Sequence, residues 1–144
     1  TLVVICPAMP EVRGQPDATK PTLVRVHVQN PLADVLHWER ADFGVAVTDA
    51  LELIAEADCG VLVVLNEPQS ADALLARVQS AAMASSGKGS VAQWRRNGAG
   101  AQILADLGLK SLRVIGTPRR QVGLAGFGLE VIEYVDAAGV SSPT

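Results

Sequence analysis

Aromatic rings are almost missing from this chain, which has two Trp, one Tyr and two Phe in 144 residues. Because 49% of the residues are nevertheless apolar, the core has to be built from Ala, Val and Leu rather than from stacked rings. Cysteine and histidine are equally sparse. Cys6 and Cys59 lie far apart and outside any Cys-x-x-Cys spacing. Each reads as a small buried hydrophobe, a disulfide between them being the weaker alternative. His27 and His37 are the only histidines, and no set of metal ligands gathers around either in the sequence. The formal net charge is −3 and no basic run is present. That argues against nucleic acid as a partner, because phosphate binding draws on clustered Lys and Arg. No apolar stretch is long enough to cross a bilayer, and the N-terminus lacks the basic, apolar, small-residue order of a secretion signal. The expected setting is cytoplasmic, with no membrane partner.

What is present is an alternation of β and α signals without an internal repeat, in a length that suits one domain with a substantial core. Residues 2–5 and 22–29 are rich in β-branched side chains, and the Pro, Gly and charged residues between them read as a connection. This predicts two neighbouring strands. Val45, Val47, Ala50, Leu51, Leu53, Ile54 and Ala57 recur at helical spacing, and Gly60 marks the stop before a buried type of strand over 61–65. Ser70 is placed to cap a helix that starts at Ala71 and ends near residue 84. A polar loop over 85–90, a helix running through Ala101 to Leu107, a strand over 111–115 and a last strand over 129–135 follow. Residues 1–136 make up the predicted domain and 137–144 a flexible, frayed tail. Strands interleaved with helices indicate an α/β fold, a mixed β-sheet with flanking helices.

Several segments carry a resemblance that covers most of the chain. Leu23-Val24-Arg25-Val26-His27, running on to Ala41-Asp42-Phe43-Gly44, resembles a segment of GTP cyclohydrolase II. That segment reads Val-Arg-Val-His-Ser-Glu-Cys and ends Cys-Asp-Cys-Gly. The run from Gly98 to Gly108 is similar to the family's Gly-Ile-Gly-Ala-Gln-Ile-Leu-Arg-Asp-Leu-Gly. The run from Gly123 to Val131 is similar to its Gly-Leu-Glu-Gly-Tyr-Gly-Leu-Glu-Val. The resemblance implies a GTP cyclohydrolase II-like fold. In the family, three cysteines hold a zinc that activates water to open the guanine imidazole ring and release formate. An arginine is thought to attack the α-phosphorus. Those cysteines correspond here to Asn30, Ala41 and Phe43. Neither Ala nor Phe has a lone pair to give a metal, so no zinc and no other cofactor is expected in this domain.

Around the guanine site the family's Ser-Glu becomes Val28-Gln29 and a Gln becomes Ala46, which removes donors and acceptors that a base edge needs. The family's Arg-Gln-Glu-Gly-Arg-Gly loop becomes Asn66-Glu67-Pro68-Gln69-Ser70-Ala71, without the arginines or glycines of a phosphate cradle. Arg95 falls where the resemblance puts the proposed nucleophile, but Gln93 replaces the acid beside it, and Gln cannot act as a base at neutral pH. Thr117, Arg119 and Arg120 remain from a phosphate-contacting turn that is one residue shorter here.

Each surviving candidate has a plainer role beside it. Arg25 and His27 share one strand face and are candidates to touch a ligand, although His27 reads more simply as a satisfied, half-buried histidine. Arg95, Arg96, Arg119 and Arg120 either converge on a phosphate or are solvated at element ends, the latter taking the larger share. Asp34, Glu39 and Asp42 have the oxygens for a hard cation but irregular spacing. Trp38 and Trp94 serve stacking or packing. Gly98 and Gly100 are expected in tight turns and close packing.

Three functional expectations follow. The favoured one is a non-catalytic GTP cyclohydrolase II-like domain of a riboflavin-biosynthesis protein, acting in folding, dimerisation or regulation. Thr1 fits the later part of a longer chain, and the resemblance implies a 3,4-dihydroxy-2-butanone 4-phosphate synthase domain, which uses Mg²⁺, ahead of it. It also implies a homodimer. The second is a nucleotide- or phosphate-sensing module using Arg95, Thr117, Arg119 and Arg120. The third, an active zinc-independent hydrolase, lacks a general base.

Overall fold

A computed structural model describes residues 2–5, 20–39, 43–57, 59–80, 91–117 and 124–143, with only the backbone path for 2–5 and 91–97. The strands are β1 (Leu2–Ile5), β2 (Thr22–Val28), β3 (Gly60–Leu65), β4 (Ser111–Ile115), β5 (Glu130–Val135) and β6 (Ser141–Pro143). The helices are α1 (Pro31–Asp34), α2 (Val47–Glu56), α3 (Ala71–Ser80) and α4 (Val91–Asp106). The strands form one mixed sheet in the order β1-β3-β2-β4-β5-β6. Its centre, β3-β2-β4-β5, is parallel, and β1 and β6 join it antiparallel. Parallel strands need crossover connections, normally helices, and are buried on both faces. β3 accordingly reads Gly-Val-Leu-Val-Val-Leu and is buried at all but one position.

The pleat sends alternate residues of the central strands to opposite faces. On one face Val24, Val61, Val63, Leu65 and Leu112 pack with Ala101 and Leu104 of α4. On the other, Leu23, Leu62, Ile115 and Val135 pack with Ala50 and Ile54 of α2. Gly100 lies inside α4, where a Cβ would stand 2.8 Å from Val26 Cγ1. Its lack of a side chain lets the helix approach β2. Gly98 is two residues earlier, on another side of the helix, and has nothing within 4 Å of such a Cβ. Both therefore lie within a helix, not in a turn.

Two further expectations are corrected. β1 is not the neighbour of β2; it pairs with β3, Leu2 opposite Val64 and Ile5 opposite Val61. β2 is flanked by two parallel strands, so no side of it is left for β1. The stretch read as a frayed tail turns back after β5 and forms β6, with Ser141 opposite Val135 and Pro143 opposite Glu133. Asp136 makes the reversal: its Oδ1 accepts the amides of Ala138 and Val140 at 2.9 and 2.8 Å. Ser70 does cap α3, its Oγ accepting the Ala73 amide at 3.2 Å. The segment 85–90 and Cys6 lie outside the described residues. Cys59 is a free, half-buried thiol 3.7 Å from Thr22 Oγ1. No helix among the described residues is long and apolar enough to cross a membrane.

Candidate functional site

The carboxyl ends of parallel strands are where open α/β sheets form ligand crevices, above all where successive connections leave to opposite faces. Here β2 leads to α2 on one face, while β3 leads through α3 to α4 on the other. A cleft of about 1140 Å³ opens at that point, and residues after both strands line it, including Gln29, Asn30, Glu67 and Gln69.

Arg25 and His27 follow Leu23 at spacings of two and so share its face, the α2 side of the sheet, where both border the cleft. His27 is only 5% exposed. A buried imidazole needs partners, and its Nε2–H donates to the two carboxylate oxygens of Asp34 at 3.0 and 2.9 Å. Asp34 closes α1, a short helix that starts at Pro31, where proline suits the first turn. Its Oδ2 also accepts the Asn30 amide at 2.8 Å. Asp34 is thus committed to His27 and to the bend that follows β2. Arg25 donates from Nη1 to Ile115 O at 3.0 Å and from Nη2 to Val45 O at 2.9 Å.

The far wall of the cleft is a polar relay between β2, β3 and α3. The Gln29 amide donates to Leu65 O at 2.9 Å, Gln69 Nε2 donates to Gln29 O at 3.3 Å, and Arg77 Nη1 donates to Gln69 Oε1 at 3.0 Å. The Arg77 guanidinium also lies 5.6 Å from the centre of the Phe43 ring. Phe43 meets Trp38 edge to face, with centroids 6.3 Å apart. Both distances lie in the attractive range for such pairs.

Neither of the two described positions that correspond to the family's cysteines carries a thiolate. At the positions that correspond to the family's cysteines, Phe43 presents a ring engaged by Trp38 and Arg77. The Asn30 side chain offers a neutral, buried Oδ1 that has no hydrogen-bond partner. Ala41 lies outside the described residues, as do Asp42, Arg119 and Arg120. Among the described residues no three His, Cys, Asp or Glu side chains gather as a metal site. Glu39 borders the cleft and is exposed.

The remaining candidates do not all meet. Thr117 is exposed just after β4 and is not among the residues that line the cleft. Arg95 and Arg96 are on α4, where only the backbone is described for 91–97; Gln93 and Trp94 share that limit. Sequence reasoning missed Arg77 and the pairing of Asp34 with His27. The helical position of Asp34, seven residues beyond His27 and just after Asn30-Pro31, was the available signal for the second.

Comparison with known proteins agrees with this architecture. Residues 8–136 match the family described as GTP cyclohydrolase II. A protein of Pseudomonas syringae pv. tomato named 3,4-dihydroxy-2-butanone 4-phosphate synthase is 39% identical over 140 residues, covering 91% of this chain and 36% of that protein. One of the same name from Pseudomonas aeruginosa is 38% identical over 125 residues, covering 86% and 34%. Riboflavin biosynthesis protein RibBA of Bacillus cereus is 37% identical over 134 residues, covering 86% and 34%. The chain spans about a third of the length of these curated relatives. With the family matched across nearly all of its length, on a mixed α/β sheet of the expected kind, the chain belongs to the GTP cyclohydrolase II family.

Proposed function

We propose that this chain is a zinc-free, non-catalytic GTP cyclohydrolase II-like domain of a riboflavin-biosynthesis protein. In this proposal it is joined to a 3,4-dihydroxy-2-butanone 4-phosphate synthase domain and serves folding, dimerisation or regulation in the cytoplasm. The observation that carries the proposal is the setting of Phe43, whose ring contacts Trp38 and Arg77 at a position where the family's enzymes need a metal ligand. Packing there supports a retained frame with altered use. The names of the Pseudomonas relatives support the pathway. Formation of 3,4-dihydroxy-2-butanone 4-phosphate from ribulose 5-phosphate with Mg²⁺ then belongs to residues outside this chain.

Elemental analysis and a formate-release assay with GTP test the loss of chemistry together. The expected results are no stoichiometric zinc and no turnover above blank. One tightly held zinc per chain, or turnover that Arg95→Ala abolishes, refutes the proposal. Deleting the domain from the full-length protein tests the scaffold role. Loss of a dimer held by roughly 1,200 Å² or more of interface, or of synthase activity, is expected. Unchanged mass, solubility and activity sink it.

The cleft at the strand ends favours a second reading, a nucleotide- or phosphate-binding module. Calorimetric titration with GTP and with inorganic phosphate separates the two, since binding weakened by Arg77→Ala, at the cleft wall, supports the module and no heat supports the scaffold.

A further inference from the structure

The sheet comes apart at one place, and a side chain fills the gap. β2 pairs with β3 from Leu23 to Val28 but with β4 only from Thr22 to Val24. Past Val24 only β2 runs on, because β4 has a single further residue, Ile115, and its carbonyl accepts from Arg25 Nη1 at 3.0 Å. A buried backbone carbonyl needs some donor, and here a side chain supplies what the neighbouring strand does not. The same guanidinium reaches across to Val45 O at 2.9 Å, in the segment that leads into α2. One planar group therefore ties β2 to segments 90 and 20 residues away in the chain.

Two glycines flank this group. Gly116 has φ +148 and Gly44 has φ +71, a region that L side chains rarely adopt. A Cβ at Gly116 would stand 3.1 Å from Arg25 Nη1, and one at Gly44 would stand 3.6 Å from Nη2. Gly116 is itself fixed on its other side, its amide donating to Val135 O at 2.8 Å. Two carbonyls set at the spacing of one guanidinium fork, between two glycines, make a socket for a planar cation rather than for an ammonium, which has no such fork.

We infer that Arg25 is an internal latch: its guanidinium closes the split between β2 and β4 and positions the Gly116–Thr117 turn against the N-terminal end of α2. On the Val45 side Arg25 is thus a positioning residue for the 44–46 segment, which lines the cleft. This role is independent of the function proposed above. It also makes the socket a binding site for a free alkylguanidinium once the side chain is removed.

Hydrogen exchange followed by mass spectrometry on the 144-residue chain tests the latch. In Arg25→Ala, peptides over 45–50 and 114–117 are expected to exchange about tenfold faster or more, the factor that follows from losing a charge-assisted hydrogen bond in a local opening equilibrium. Peptides over β3 are expected to keep their wild-type rates. Millimolar ethylguanidinium, far below denaturing concentration, is expected to restore slow exchange at both sites in the variant, while ethylammonium is not. Arg25→Lys, which keeps the charge and loses the fork, is expected to accelerate the same two peptides by a smaller factor. Should Arg25→Ala fail to fold, the lysine variant decides the matter alone. Unchanged exchange at both sites, acceleration spread evenly through β3, or absence of rescue specific to the guanidinium overturns the latch.

Discussion

Helices α3 and α4 follow one another in the chain but are attached by different physics. α4 puts Ala101 and Leu104 into the core and brings Gly100 against Val26. α3 buries no residue at all. Leu75 and Val78 remain 58% and 44% exposed, and the attachments described for α3 run through Arg77 to Gln69 and to the Phe43 ring. Apolar burial stabilises by roughly 25 cal/mol per Å², whereas a half-exposed hydrogen bond and a cation–π contact each contribute about 1 kcal/mol or less. The comparison teaches that the frame and the cleft wall are separable. The α4 side holds the fold, and the α3 side can be rearranged at small cost.

The largest expected effect breaks the frame. Leu104→Ala removes a side chain that is 3% exposed and should lower unfolding free energy by about 2–5 kcal/mol, measured by urea denaturation. A loss below 1 kcal/mol would mean that α4 is no better anchored than α3. Gly100→Ala comes next. Overpacking against the stiff Val26 side chain costs about 1–3 kcal/mol, less a helix-propensity gain of about 1 kcal/mol, for a net loss of about 0–2 kcal/mol. Adding Val26→Ala should then recover part of that loss, and strict additivity in the double mutant would show that the two do not touch.

Gly98→Ala sharpens the contrast from the other direction. With open space around its added methyl, the variant should gain about 0.5–1 kcal/mol from helix propensity, visible as a higher thermal midpoint. The smallest global change is expected for Arg77→Ala, about 0.5 kcal/mol or less, since its bonds tie down only α3. Its signature is local. Amides of α3 should exchange faster while those of α4 keep their rates, and equal acceleration in both helices would join what the structure separates.

The strands were legible where local composition decides them. β4 runs from Ser111 to Ile115 as its sequence indicates, and β3 is a β-branched run introduced by Gly60. Which strand lies beside which was not legible. β1 is nearer to β2 in sequence but pairs with β3, because pairing in this sheet is settled by crossovers and by edges left vacant, neither of which marks a single residue. At the cleft, period two placed Arg25 and His27 on one face. Their partners were hidden for different reasons. The carbonyls of Val45 and Ile115 have no side-chain identity to recognise, and Asp34 required a four-residue helix too short to show periodicity. Arg77 met Phe43 only through tertiary folding, from 34 positions away in the chain.

The hairpin closed by Asp136 has a consequence for how this molecule lives among copies of itself. Sheet margins invite strand addition by other chains, and short margins, charge and proline are the usual deterrents. β6 presents three residues and ends on Pro143, opposite Glu133. Proline has no amide hydrogen to offer. An incoming strand that tried to extend the sheet along Ser141–Pro143 would meet one position that cannot donate, so Pro143 makes this stretch of the margin a poorer template for strand addition.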